Sequence, residues 1–261
     1  MNILFIGDIV GKAGRRVISN LLYRIIDKYK IDFCIANCEN AAGGFGITYD
    51  IVKQLLKEGI DVLTSGNHIW DKKEIYDFID QGEPLIRPAN YPDGTPGFGR
   101  IIRETASGQS IGVINLSGRV FIGDFDCPFR TADREIEFIK SKTDIIIVDF
   151  HAEATSEKMA LGWYLDGRVS AVIGTHTHVQ TADERILFKG TAYITDVGMT
   201  GPTYSVIGVK KEIAIERFLT QLPKRFETAK GESQCSAVIL DINEKTGQCK
   251  DISRLQISYS D

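Results

Sequence analysis

An α/β fold with two sheets stacked face to face and helices outside them, all in one domain, is what this sequence predicts. Three observations carry the expectation. Short apolar runs alternate with amphipathic stretches through residue 79, the βαβαβα order of a parallel sheet with right-handed crossovers. A loop dense in Pro and Gly and a hairpin signal follow, after which the alternation resumes. From residue 183 onward strand-like runs dominate. No repeat, low-complexity tract or linker composition divides the chain, so 1–261 is read as a single domain.

Residues 2–7 form the first apolar run, and Val17, Leu21, Leu22, Ile25 and Ile26 then recur at helical spacing over 15–28. A strand at 32–37 precedes a helix near 49–58, stopped by Gly59, and a strand at 61–65 precedes a short helix near 73–79. The stretch 87–97 reads as a loop, and Ser107-Gly108 joins strands near 98–103 and 110–116. Residues 117–131 are irregular and carry Phe121, Phe125 and Phe129, so this segment is either a lid over a cleft or a packed loop. A helix near 132–141, a strand at 144–150, a helix near 156–165 and a strand at 169–174 restore the α/β pattern. Strands at 185–188, 192–195, 237–242 and 255–259, with one helix near 211–222, complete it.

Composition narrows the function. A 43% hydrophobic and 25% charged chain is ordinary for a globular protein. A net charge of −4 excludes a basic surface that tracks duplex nucleic acid. No apolar stretch approaches the ~18 residues of a membrane span. Five cysteines, at 34, 38, 127, 235 and 249, form no CxxC pair, and residues 1–8 run straight into the first strand. The expected compartment is the cytoplasm, with reduced thiols. Cys38, although beside Glu39, reads as a small buried hydrophobe.

The chemistry lies where apolar runs end. Gly7-Asp8, Glu39-Asn40, Gly66-Asn67-His68, His151 and Gly174-Thr175-His176-Thr177-His178 all close such runs, and they contain all four histidines of the chain. Ligand sites of open α/β sheets form at strand ends. Each motif alone is weak, because Asp8 by itself is more often a turn or cap residue. His176 and His178 are sharper, since residues two apart on an extended chain point the same way. Together the motifs indicate a metal site. Imidazole, carboxylate and amide oxygen without thiolate suit Mn, Fe, Zn or Ni. Asp8, Glu39, Asn40, Asn67, His68, His151, His176 and His178 are too many donors for one ion. They fit two ions sharing a bridging carboxylate, an arrangement that clamps both oxygens of an in-line phosphoryl displacement.

With these motifs in place, the chain resembles the calcineurin-like metallophosphoesterases. Val10 stands where the wider superfamily has histidine, Glu39 where it has aspartate, and Ile69 where an acid usually follows Gly-Asn-His. These departures resemble the narrower YmdB-type branch, described as 2′,3′-cyclic-nucleotide 2′-phosphodiesterases. The likeness extends through Glu39–Gly44, Gly66–Asp71, Asp149–Thr155 and Thr195–Met199. It implies a four-layer α/β/β/α sandwich. It also implies one metal held by Asp8, Glu39, Asn40 and His178, a second held by Glu39, Asn67, His151 and His176, and His68 as proton donor. Iron is the metal associated with the branch, with Mn, Zn or Ni able to serve.

The implied reaction is opening of a 2′,3′-cyclic nucleotide at its 2′ oxygen, leaving a 3′-phosphate. Asp71 is a candidate to orient His68, or else an acid starting the next helix. Aromatics over 121–129 are candidates to grip the base. The expected partners are a small phosphodiester or cyclic nucleotide and further copies of the chain, with no membrane and no duplex nucleic acid. Two other readings stand beside this one: a metal-binding regulator acting through a partner, and a phosphatase or phosphodiesterase of other specificity. A P-loop at 7–13 is one residue short between its glycines and has Ala13 where Ser or Thr should stand.

Overall fold

Apolar runs too continuous for a one-sided strand become strands buried on both faces. The computed structural model describes residues 1–260. In chain order the elements are β1 (Asn2–Ile6), β2 (Asp8–Ile9), α1 (Gly11–Tyr29), β3 (Ile31–Asn37), α2 (Tyr49–Lys57) and β4 (Val62–Thr64). A 3₁₀ turn (Asn67–Trp70), α3 (Ile75–Phe78), β5 (Arg100–Glu104), β6 (Ser110–Ser117), α4 (Pro128–Lys140), β7 (Ile146–His151), α5 (Thr155–Leu165) and β8 (Ala171–Thr175) follow. The chain closes with β9 (Arg185–Ile186), β10 (Ala192–Ile194), β11 (Met199–Pro202), α6 (Lys211–Thr220), β12 (Ser233–Ile242) and β13 (Cys249–Tyr259).

The strands form two sheets. One runs β2-β11-β12-β1-β3-β4, with β13 added against β12, and the other runs β5-β6-β7-β8-β10-β9. β1, β3 and β4 are mutually parallel, as are β6, β7, β8 and β10. The hairpin predicted at Ser107-Gly108 forms, pairing β5 antiparallel to β6.

Side-chain alternation divides the apolar residues among three cores. Ile3 and Phe5 of β1 meet Val113, Ile147, Ile173 and Ile194 of the other sheet, so this core lies between the sheets. The alternate residues Leu4 and Ile6 face Val17, Ile18, Leu22 and Ile25 of α1. On the far sheet Ile146, Val148 and Phe150 of β7 meet Ile136 and Ile139 of α4 and Leu161 and Leu165 of α5. Each parallel strand therefore buries both faces, which is why it reads as an unbroken apolar run.

Several boundaries differ from the sequence reading. α1 begins at Gly11 rather than near residue 15, closed by the Gly14 N–H bonding the Val10 carbonyl at 2.9 Å. Its first turn, Gly11-Lys12-Ala13-Gly14, lacks large apolar side chains and so carries no periodic signal. α4 starts at Pro128, whose fixed φ and missing N–H suit a first helical turn. β2 and β11 went unread because two residues leave no pattern and Gly and Pro interrupt the other four.

Candidate metal centre

The parallel strands of both sheets end along one edge, and their ends deliver the candidate donors there. Asp8 follows β1, Glu39 and Asn40 follow β3, Asn67 and His68 follow β4, His151 ends β7, and His176 and His178 follow β8. The structure brings all eight together. Gly66 makes the approach feasible, since a Cβ there would stand 2.2 Å from Glu39 Oε2 and 2.3 Å from His151 Nε2. Two groups result, Glu39–His151–His176 and Asp8–Glu39–His178, each with its ligand atoms within 4.8 Å of one another. Glu39 belongs to both.

The hydrogen bonds identify which ring nitrogens carry protons. The Thr175 hydroxyl donates to Asp149 Oδ1 at 2.7 Å, so at His151 Nδ1, 3.0 Å away, it accepts. His151 Nδ1 therefore bears the proton, and the Nε2 lone pair points inward. It meets Glu39 Oε1 at 3.1 Å, Asn67 Oδ1 at 3.1 Å and His176 Nδ1 at 3.0 Å. His176 Nε2 faces Glu153 Oε2 at 3.1 Å, which leaves Nδ1 as its inward lone pair. His178 Nδ1 donates to the Ile207 carbonyl at 2.9 Å, so its Nε2 accepts from Asn40 Nδ2 at 3.1 Å, an amide that also donates to Glu39 Oε1 at 3.1 Å, and lies 3.7 Å from Asp8 Oδ1. Asp8 Oδ1 is buried with no hydrogen-bond partner. The inward lone pairs of His151 and His176 facing each other and Glu39, with one orphaned carboxylate oxygen at Asp8, form a set suited to cations, and Asn40 would join it once its amide turns Oδ1 inward. The donors contain no thiolate and fit divalent metal ions.

Without a cation, protons take up the conflict. Burial depresses His151, but the charge and hydrogen bond of Glu39 outweigh it and lift the ring to about 9. Burial and the neighbouring His151 drive His176 down to about 3. Burial opposes ionisation of Glu39, yet His151 holds it well below the carboxylate range. Burial lifts Asp8, against the pull of His178 and His151. Opposite displacements of two adjacent imidazoles mark a site arranged for charge.

Buried polar groups fix this arrangement from behind. Asp149, fully buried, accepts hydrogen bonds from Thr64, from Asn37 Nδ2 at 3.0 Å and from Thr175. Burial pushes it up to about 7. Lys158 and Asp196, both buried, pair at 2.7 Å, and Asp196 also accepts from the Thr177 amide and hydroxyl. That pair anchors an unusual segment, because His176 and His178 have φ of 96° and 67°. The extended backbone expected there does not exist. Non-glycine residues in the left-handed region are strained, and the twist sends the two rings to different clusters rather than to one side.

A cleft of about 280 Å³ opens over the centre, lined by His68, Phe45, Phe226, Ile207 and Val209 among others. His68 Nδ1 lies 2.9 Å from Asp71 Oδ2, so Asp71 does orient the ring. Residues 117–131 contribute nothing to the lining. Phe125 packs edge-on against Tyr91 and Phe129 against Tyr164, so their rings serve packing. Sequence reasoning missed residues 206–209 and 226–228 because they lie in irregular loops. It missed Asp149 and Thr175 because they resemble ordinary strand residues. Cys38 sits in the apolar core, its thiol donating to the Thr64 carbonyl at 3.2 Å, as the sequence suggested.

Comparison with known proteins places the chain. A family model described as "YmdB-like protein" matches residues 4–255. Over 258 residues the chain is 54% identical to the Bacillus subtilis (strain 168) protein named 2′,3′-cyclic-nucleotide 2′-phosphodiesterase, covering 99% of this chain and 97% of that one. A hypothetical protein from Thermus thermophilus has a solved structure that superposes with a TM-score of 0.92 at 45% identity, covering 99% of both chains. The crystal structure described as a novel phosphatase from Mycoplasma pneumoniae gives a TM-score of 0.93 at 36% identity, covering 100% of this chain and 94% of that one. The chain belongs to the YmdB-like family.

Proposed function

We propose that this protein is a dinuclear-metal phosphodiesterase that opens 2′,3′-cyclic nucleotides to 3′-nucleotides, on a four-layer α/β/β/α sandwich spanning 1–261. The observation that carries the reading is the convergence of three imidazole lone pairs on two clusters that share Glu39. The name of the Bacillus relative supports the substrate. The three cores, one between the sheets and one outside each, support the layer order. Asp8, Glu39, Asn40 and His178 would hold one ion, and Glu39, Asn67, His151 and His176 the other. Iron is favoured, and Mn, Zn or Ni fit the same donors. The cytoplasmic location expected from the sequence belongs to this reading, and five unpaired cysteines support it.

Bound there, the ions supply Lewis acidity, raising the acidity of water and offsetting charge on the phosphoryl oxygens. The protein's own groups do the rest. Asn40 and Asn67 contribute neutral donors and leave that positive charge uncancelled. The Thr175–Asp149 pair holds His151 in the tautomer that presents Nε2. His68, fixed through Nδ1 by Asp71, keeps Nε2 for the departing 2′ oxygen and gives it a proton.

Turnover of 2′,3′-cyclic AMP with added Mn²⁺ or Fe²⁺, with and without chelator, tests the reading. The expected result is metal-dependent release of 3′-AMP. Silence from a protein shown to carry two metal ions overturns it and selects a regulator.

A further inference from the structure

The cleft has two half-buried aromatic rings that the chemistry at the centre does not use. Phe45 and Phe226 lie nearly parallel, 21° apart, with centroids 6.4 Å from each other. Stacked bases stand about 3.4 Å apart, so a base between two rings needs ~7 Å, more than the 6.4 Å between these centroids, and the pair must open to admit one. Gly44 and Gly46, with φ of 103° and 71°, flank Phe45 and confer local freedom on its backbone. Phe226 is braced by the Arg217 guanidinium, 4.7 Å from its centroid, which lines a neighbouring cavity and not the cleft.

Position matters as much as shape. His68 stands between the centre and this pair: its backbone N–H donates to Glu39 Oε2 at 3.2 Å, and its ring meets Phe45 edge-on at 4.9 Å. In a ribonucleotide the base is carried by C1′, and the neighbouring carbon carries O2′; O3′ is one carbon further away. A base held on the Phe45 side therefore turns O2′, not O3′, toward His68.

Resting on the phosphodiesterase reading above, we propose that Phe45 and Phe226 form the nucleobase site and set which ester bond opens. The water oxygen forms a new P–O bond while P–O2′ breaks with its electron pair on O2′. His68 delivers the proton O2′ takes up, and the proton released by water restores His68. Recognition by ring stacking tolerates every base, because each presents a π face.

The test measures kcat/KM for 2′,3′-cyclic AMP and for the base-free methyl riboside 2′,3′-cyclic phosphate, with 2′- and 3′-phosphate products separated. It compares the wild type with Phe226→Ala, Phe45→Leu and Phe226→Trp at verified metal content. The wild type should prefer the nucleotide by ~5- to ~150-fold, the worth of one stacked base. Phe226→Ala and Phe45→Leu should lose most of that preference and release some 2′-phosphate, while Phe226→Trp keeps both properties. Calorimetric affinity for adenosine 3′-phosphate should fall in the same two variants. An undiminished preference with only 3′-phosphate in both variants overturns the base site. So does a wild type that opens both substrates equally well. A metal-loaded wild type that opens neither overturns the phosphodiesterase reading itself.

Discussion

Asp149→Asn alters one buried atom that touches no candidate ligand, yet it should loosen the metal. Asp149 Oδ2 accepts from two donors, the Thr64 hydroxyl and the Asn37 amide, whereas Oδ1 accepts from Thr175 alone. An amide in its place keeps its oxygen toward the two donors and turns its NH₂ toward Thr175. The Thr175 hydroxyl then accepts from that NH₂ and donates to His151 Nδ1, which moves the His151 proton to Nε2, inside the centre. Reversing the tautomer forfeits a matched buried hydrogen bond, ~1–3 kcal/mol, or ~5- to ~150-fold in metal affinity. Competition for Mn²⁺ against a fluorescent chelator measures this directly. The chelator-treated variant should melt no lower than the wild type, because the substitution removes a buried charge. Wild-type metal affinity in the variant would refute the tautomer argument. A large loss of metal-free stability would make Asp149 a folding residue instead.

Other outcomes follow from the same geometry. His68→Ala should retain both metals and lose ~10²- to ~10⁴-fold in kcat, with Asp71→Asn showing a smaller loss and a displaced pH profile; wild-type turnover by the first removes His68 as the acid. Metal-free protein should lose stability as pH climbs above 6.5. His151, raised to about 9, contributes stability that is lost from 6.5 through 9, and Asp149, raised to about 7, adds to the fall up to 7, while below 6.5 the loss from His176, lowered to about 3, is offset by the gain from Asp149. Melting curves across pH after chelation check this, and a flat profile contradicts it. Lys158→Met strands the buried Asp196 charge and should cost ~3 kcal/mol, lowering Tm by ~6–12 °C, with metal affinity weakened as the His176–His178 segment loosens; an unaltered melting curve rules it out.

What the chain disclosed in advance depended on how regular its backbone is. β1, β3, β7 and β8 were legible because burial on both faces demands unbroken apolar runs, and the donors stand where those runs stop. Phe45 and Phe226 were not, since they sit in loops whose course no periodicity encodes. The aromatic cluster over 121–129 drew attention instead, but Phe125 and Phe129 are committed to packing and Phe121 stands exposed, away from the cleft. The pairing of His176 and His178 was visible as spacing, but not its left-handed backbone, which depends on Asp196 gripping Thr177 from just beyond the end of β10. Thr175 and Asp149 show the remaining limit: a proton's location on a ring depends on neighbours that only the folded chain assembles.

The two sheets are built largely from separate lengths of chain, and each cluster draws from both. Asp8 and Glu39 arrive on one sheet while His151, His176 and His178 arrive on the other. Neither half alone holds either cluster, so metal capture waits until the halves have docked. Ion loading thereby reports completed assembly: a molecule that holds its ions has docked both halves, and one that stalls part-way has neither cluster with which to seize them.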